Sequence, residues 1–301
     1  MLPVTTKSDS RASVGEAAIP AAWDRTARLF GAAAMRKLAA SHVAVFGLGG
    51  VGSYAVEGLA RSGVGRFTLV DFDEVCVTNI NRQLHAMPET VGQSKAALMA
   101  GRVRSINPAA EVRAERCFYA ADTAAQLLTP PPDYVVDCID NVTAKLHLIA
   151  ACLERGIPVV TCLGAAAKVD PSKVRVASLG DTHMDRLARA IRHNLKRKYG
   201  FDEKRLDAVL AVFSNEDLVW PDPSHHGVRC GTECCVCPSG ENDRHSCAKR
   251  RIIHGSAVFV TAVFGMMAVS VVVRELGGRF RVEREGYLIR ERRLRRLAAS
   301  K

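Results

Sequence analysis

The feature that most constrains this chain is the segment His42-Val-Ala-Val-Phe46 running directly into Gly47-Leu-Gly-Gly-Val-Gly52. The apolar burst reads as a short buried strand, and the amphipathic stretch that follows, to Ser62, reads as a helix. Glycines in the turn between them let the backbone approach a phosphate or a ribose closely, while the free N–H groups of the helix start face an anion. A chain that opens this way is steered towards a strand–turn–helix unit of a parallel sheet. The glycine turn alone does not choose a ligand, because dinucleotide and mononucleotide proteins share it and some such turns bind nothing.

The units after it repeat the alternation. Arg66–Val70 is a second strand ending at Asp71, and Gln93–Ile106 has helical periodicity up to the breaker pair Asn107-Pro108. Glu111–Arg116 alternates like a short strand. Asp133–Cys138 is an apolar strand leading through Ile139-Asp140-Asn141 into a helix that ends near Arg155, and Ile157–Cys162 closes the series. Strands alternating with helices predict an α/β, Rossmann-like fold, with a mainly parallel sheet covered by helices on both faces. Past Gly164 the pattern changes to a strand at Lys173–Ala177, a basic helix at Met184–Tyr199 and a strand at Ala208–Phe213, a C-terminal extension expected to complete the sheet. There is no internal repeat.

The segment Ile252–Val273 is almost wholly apolar and long enough to cross a bilayer. Its polar His254, Ser256, Thr261 and Ser270, and its glycines and alanines, favour instead a buried helix suited to close packing at a dimer interface. The expected organisation is a flexible leader at 1–22, one domain at 23–275 and a basic tail at 276–301. Within the domain, a nucleotide-binding half spans 23–164 and a substrate half spans 165–275, with a mobile cysteine-rich loop at 221–251. Met1–Ala22 lacks the basic start and apolar core of a signal peptide and is poor in arginine, which points to the cytoplasm. Mitochondrial and membrane-associated locations stay open.

Chemistry collects beyond the second strand. Asp71 ends that strand where an acidic residue would hydrogen-bond ribose hydroxyls. Asp73, Asn79, Arg82 and Gln83 follow, and Lys95 opens the next helix. Two cations beside an adenosine pocket have no use in hydride transfer, but they suit nucleotidyl transfer, where negative charge grows on the leaving pyrophosphate. Asp140, at the end of another strand, could hold Mg²⁺ with the phosphates. Either Asp140 or Asn141 could instead cap the following helix.

As a set, Gly47-Leu-Gly49-Gly50-Val-Gly52, Asp71-Phe-Asp73, Asn79-x-x-Arg82-Gln83, Lys95 and Asp140-Asn141 resemble the ubiquitin-activating-like superfamily over about Trp23 to Gly164. The resemblance implies that Gly49, Asp71, Asn79, Arg82, Lys95 and Asp140 bind ATP and its Mg²⁺. It also implies an arginine from the neighbouring subunit on the phosphates. Its counterpart here is Arg28, in Thr26-Ala-Arg28-Leu-Phe-Gly31, and a homodimer follows.

Finer stretches resemble one branch, the tRNA threonylcarbamoyladenosine dehydratases, over about Trp23 to Val273. They are Asp24–Gly31, Val75–Ala86, Val91–Lys95, Lys168–Lys173, Val212-Phe-Ser214 and Gly255–Val273. That branch implies ATP-dependent activation of the threonylcarbamoyl carboxylate on the adenosine next to the anticodon, then ring closure with net loss of water. Bacterial members carry a cysteine just before the Val-Phe-Ser stretch. Here the position is Ala211, which excludes an obligatory thioester through that site.

The alternative branch adenylates the C-terminal glycine of a ubiquitin-like sulfur-carrier protein and has two separated Cys-x-x-Cys pairs for zinc. The present chain clusters Cys230, Cys234, Cys235, Cys237 and Cys247 in one loop with His245. Cys234 and Cys237 have zinc-ligand spacing that Cys230 and Cys247 could complete, but a reactive loop or no special role are alternatives. The other five cysteines (Cys76, Cys117, Cys138, Cys152, Cys162) stand singly in apolar segments, like small buried hydrophobes. Inactive scaffolds of the superfamily typically lose the arginine or the metal-binding aspartate, and this chain keeps Arg82 and Asp140.

Charge matters here for the choice of partner. Lys and Arg number 42 against 31 Asp and Glu, a net +11 that favours polyanions such as RNA, nucleotides or an anionic membrane surface. Arg186, Arg189, Arg192, Lys196, Arg197 and Lys198 fall at helical spacings and, with the arginine-rich tail, could hold the phosphates of an anticodon arm. A solvated helix face is the plainer reading of the same residues.

Overall fold

Short apolar runs and the turns between them set the element order. The computed structural model describes residues 19–224, 254–278 and 280. Two short helices, α1 (Asp24–Phe30) and α2 (Ala32–Ala40), precede β1 (His42–Phe46) and α3 (Gly52–Arg61). Then come β2 (Arg66–Val70), α4 (Lys95–Ile106), β3 (Glu111–Glu115), α5 (Ala124–Leu127), β4 (Tyr134–Asp137), α6 (Val142–Glu154) and β5 (Val159–Cys162). The remainder is β6 (Val174–Ser178), α7 (Arg186–Tyr199), α8 (Glu203–Asp207), β7 (Leu210–Ser214) and α9 (Val258–Gly277).

The seven strands form one sheet in the order β3-β2-β1-β4-β5-β7-β6. All neighbours pair in parallel except β6, which runs antiparallel to β7 at the edge. The expected α/β sheet, completed by the C-terminal extension, is therefore present. Strands β4 and β5 are buried along their whole length, and this is why their sequences read as unbroken apolar runs rather than alternations. Leu38, Leu59, Met99 and Phe264 pack into the core on one face, and Leu127, Ile149, Leu195 and Phe213 into the core on the other.

The long apolar helix belongs to the first of these cores. By length and composition α9 could span a membrane. Yet it packs on α3 and α2 and over β5, β6 and β7, burying Val260, Phe264, Ala268 and Val272. Small residues set the contact with α3. A Cβ on Gly265 would lie 2.5 Å from the Val51 carbonyl oxygen, and one on Gly58 would lie 2.8 Å from Val269 Cγ2.

The helix starts six residues later than the apolar run suggests, at Val258, because the residues before it are tied into other contacts. Ala167 N–H donates to the Gly255 carbonyl at 2.8 Å, and Asn81 Nδ2 donates to the Ser256 carbonyl at 3.0 Å. The zinc candidates Cys230, Cys234, Cys237 and Cys247, the basic tail beyond Phe280 and the leader before Ile19 lie outside the described residues.

Candidate active site

The sheet order places β1 between β2 and β4, so the connections after β1 and β4 leave in opposite directions and open a crevice at the carboxyl ends of the strands. The glycine loop follows β1 into this crevice. Gly47 has φ +85°, and a Cβ there would lie 2.7 Å from the Cys138 carbonyl oxygen just past β4. A Cβ on Gly52 would meet the Gly47 carbonyl oxygen at 1.8 Å. Those two glycines make the turn itself. Gly49 differs, because its Cβ would meet nothing within 4 Å but Gln83 Nε2, at 3.8 Å. Gly50 lies against Arg82, whose Cγ would be 3.2 Å from a Cβ there. The loop is thus tight underneath and open above Gly49, the shape a phosphate or ribose requires.

Asp71 is buried at the end of β2. Its Oδ2 accepts the Leu48 N–H at 2.6 Å and its Oδ1 accepts the Asp73 N–H at 2.8 Å, so it orders the glycine loop as well as facing the crevice. Burial pushes its carboxyl up, against the pull of Lys95 and the two N–H donors. Lys95, expected as a second cation for the phosphates, is buried and paired with Asp73 at 2.8 Å. Asn79 Oδ1 accepts the Cys76 N–H at 3.0 Å and so shapes the turn that carries Arg82. The Arg82 Nη1 group donates to the Thr78 carbonyl at 2.8 Å and to Asn81 Oδ1 at 2.9 Å. Gln83 is buried beside Gly49, and its Oε1 has no hydrogen-bond partner among the described residues. His85, two residues further, is also buried with neither ring nitrogen partnered there. Burial, assisted by the Lys95 charge, lowers its pKa to about 4 and keeps the ring neutral.

Across the crevice, the competition between Asp140 and Asn141 for the helix cap is settled. Asn141 is the N-cap of α6, its Oδ1 accepting the Ala144 N–H at 3.0 Å, while Asp140 is exposed beside it. One exposed carboxylate with no cage of further ligands fits Mg²⁺, which binds through one or two carboxylates plus the substrate's phosphates. Among the described residues no group of three or more His, Cys, Asp or Glu could hold a metal by itself.

Beneath this rim lies a group that the sequence reading missed. Asp137, fully buried at the end of β4, receives Lys145 Nζ at 2.7 Å, the Thr161 hydroxyl at 2.6 Å and the Ile139 N–H at 3.1 Å. Lys145 Nζ also donates to Thr161 Oγ1 and to the Cys162 carbonyl. The available signal was a lone lysine in the apolar run Val142–Glu154, since a lysine is almost never buried unless paired.

The neighbouring Cys138 thiol is raised well above the usual range by the Cys162 thiol beside it, together with burial. Cys138 and Cys117 are half-buried rather than fully buried as expected, because both lie in loops just past strand ends. Ala211 is fully buried in β7.

The end of the crevice expected to take the substrate is built from β5 and β7. Past β5, the Gly164 N–H donates to Asp185 Oδ2 at 3.1 Å, and the same carboxylate caps α7 through the Ala188 N–H at 2.9 Å. Lys168 is buried and donates to the Glu216 carbonyl, while Glu216 accepts the N–H groups of Val169 and Asp170 at 2.9 and 3.0 Å. Burial pushes the Lys168 ammonium down, against Asp185, Glu216 and Asp217. Ala167 and Met184 adopt φ of 58° and 60°, a conformation uncommon for non-glycine residues and concentrated at functional sites. Asp185 could have been found as a helix cap preceding the basic run. Arg28 stands apart from all of this on α1, 73% exposed and ion-paired with Asp24 at 2.8 Å.

A doubly wound sheet with an open glycine loop at its switch point, two cations on one rim and an exposed carboxylate on the other defines a nucleotide-binding, adenylate-forming type of protein. The chain belongs to the ThiF family, whose sequence profile matches residues 23–295. It is similar to the tRNA threonylcarbamoyladenosine dehydratase of Escherichia coli K12, with 42% identity over 254 residues that span 83% of this chain and 91% of the relative. The Bacillus subtilis protein of the same name is 40% identical over 254 residues, spanning 84% and 94%. The crystal structure of the E. coli dehydratase in complex with ATP superimposes with a TM-score of 0.73 at 38% identity, covering 87% of this chain and 98% of that one.

Proposed function

We propose that this protein is an ATP-dependent tRNA threonylcarbamoyladenosine dehydratase. The observation that carries the reading is the convergence of Gly49, Asp71, Arg82 and Lys95 on one rim of the crevice with the exposed Asp140 on the other. It is supported by relatives of that name along nearly their whole length. The carboxylate of the threonylcarbamoyl group attacks the α-phosphorus of ATP, forming an acyl adenylate and releasing pyrophosphate. A nucleophile of the same group then attacks the acyl carbon, a proton is lost and AMP leaves. The carboxylate oxygen departs on AMP, so the nucleoside loses one water overall. Tethering makes the second step intramolecular, and no protein nucleophile is needed, in keeping with Ala211 and the raised thiol of Cys138.

Arg82 and Lys95 counter the charge of the leaving pyrophosphate, with Lys95 shared between Asp73 and phosphate. Asn79 and Gln83 complete that rim. Asp140 would hold Mg²⁺, which supplies charge screening across the phosphates, and Asn141 rather than Asp140 takes the helix cap. The active form is a homodimer in which each Arg28 serves the other subunit's phosphates. Arg28 is solvent-exposed, and Phe259 and Met266 on α9, with Val77 and Ile80 on the turn before Arg82, offer apolar surface for the contact. The reading places the protein in the cytoplasm with its tRNA.

The test is ATP consumption by the purified protein with and without tRNA bearing threonylcarbamoyladenosine, followed by the nucleoside mass. Loss of one water, with ATP spent only in the presence of that tRNA, is expected. Arg82→Ala and Asp140→Ala should abolish turnover while the thermal melt stays in place, and unchanged turnover in either would refute the site. ATP use without a change in the tRNA would instead favour a ubiquitin-like sulfur-carrier protein as the substrate.

A further inference from the structure

Trp220 is 57% exposed, yet the backbone just before it is anchored. The Val219 N–H donates to the Ala167 carbonyl at 3.0 Å, and the Ala167 N–H in turn donates to Gly255 at 2.8 Å. The segments after β5, after β7 and before α9 are therefore knotted together beside Lys168, at the substrate end of the crevice. The guanidinium carbon of Arg186, at the start of α7, lies 5.4 Å from the indole centroid. The exposed imidazole of His254 lies 6.3 Å from the indole, tilted by 47°. With Arg186 over the ring and more than half of the side chain open, aromatic surface is left for a planar ligand.

From Arg186 the exposed residues Arg189, His193 and Arg197 continue along α7 at steps of three and four, on one helix face. Arg189 and Arg197 have no carboxylate partner among the described residues. A protein anchor would call for a dry, apolar surround about the indole. Here its neighbours are a guanidinium and an imidazole at the head of a cationic row, the combination that single-stranded nucleic acid uses.

We infer that Trp220, flanked by Arg186 and His254, is a stacking platform for an unpaired nucleobase of the RNA substrate, with the Arg186–Arg197 face of α7 tracking the adjoining phosphates. The inference rests on the dehydratase reading and adds to it the residues that grip the RNA loop. Sequence-specific RNA recognition works mostly through unpaired bases stacked on aromatic and arginine planes. Trp220 is thus a binding residue for the RNA, separate from the groups that handle ATP.

The chain has two tryptophans, Trp23 and Trp220, so a Trp23→Phe protein reports the platform by indole emission alone. Titration with tRNA should quench that emission in step with binding followed by anisotropy of labelled tRNA, whereas heparin, a polyanion without bases, should bind without quenching. Trp220→Ala should lower kcat/KM for tRNA about ten-fold or more, as loss of one stacked base does. The KM for ATP should be unchanged, and Trp220→Tyr should restore most of the loss.

Binding of tRNA with unaltered emission, or full activity in Trp220→Ala, would overturn the platform while leaving the dehydratase reading standing. A fall in the association state of Trp220→Ala by sedimentation, without quenching by tRNA, would overturn it in favour of a subunit contact. Failure of the unsubstituted protein to bind or alter tRNA would overturn both.

Discussion

Single side chains in this protein divide into those that meet ligand and those that hold the rim in shape, and the second kind are the easier to overlook. Lys145 is an example. It is fully buried, and its ammonium pairs with Asp137, itself buried under the loop that presents Asp140. Removing one partner of such a pair leaves an uncompensated charge, so Lys145→Met should destabilise the fold by about 3–5 kcal/mol in urea titrations. The double variant Lys145→Met with Asp137→Leu should recover much of that loss, because it leaves no orphan.

His85 gives a pH signature. Its pKa is near 4 in the folded chain against 6.5 when exposed, through burial first and the Lys95 charge second. Above pH 6.5 both states bind the same number of protons at this group and it has no effect on stability. As pH falls from 6.5 through 4, the unfolded chain takes up the proton and the folded chain resists it, so stability is lost with a total on the order of 3 kcal/mol. Unfolding free energies at pH 7 and pH 4.5 should therefore diverge less in His85→Leu than in the unsubstituted protein.

At the scale of elements, α9 decides how the nucleotide loop is supported. It lies against α3, with Gly265 meeting the backbone of Val51 and Ala55 at the very start of that helix. A larger residue there must push the two helices apart, so Gly265→Leu should cost about 1–3 kcal/mol and should also weaken ATP binding by moving the loop between Gly47 and Gly52. Calorimetry with and without ATP checks both effects. Fully retained affinity would show that α9 serves the core alone.

Much at this scale was legible in the sequence. The strands, the glycine turn and α4 lie within a few residues of expectation, because apolar runs, breakers and caps act locally. Three matters were not legible. The direction of β6 depends on which edge of the sheet it joins, the start of α9 depends on Asn81 and Ala167 far away in the chain, and the cap of α6 depended on which of two adjacent side chains reached the Ala144 N–H.

For the whole molecule, the proposed exchange of Arg28 between subunits has a sharp consequence. On that proposal a site lacking its own Arg82 should be dead, whereas a site lacking its own Arg28 should not be, provided that its neighbour keeps one. Mixing Arg28→Ala chains with Arg82→Ala chains should therefore revive turnover, to about a quarter of normal if subunits re-pair at random in a two-fold dimer. Each variant alone should stay inactive. No revival after verified exchange of subunits would show that Arg28 acts within its own chain or not at all.

The boundary between sequence and tertiary structure in this protein follows the range of the forces involved. The glycine loop, the turns after β2 and β4 that carry Asp71 and Asp140, and the basic face of α7 follow from local sequence, since each is written in a few consecutive residues obeying steric and periodic rules. Long-range packing is what lets Asp73 hold Lys95 across 22 positions, Asp137 bury Lys145 with Thr161, and Trp220 come to rest beside Arg186. Those pairs join segments that the sheet order brings together, and side-chain identity alone carries no record of that order. A charge or an indole finds its partner only after the backbone has closed the loop between them.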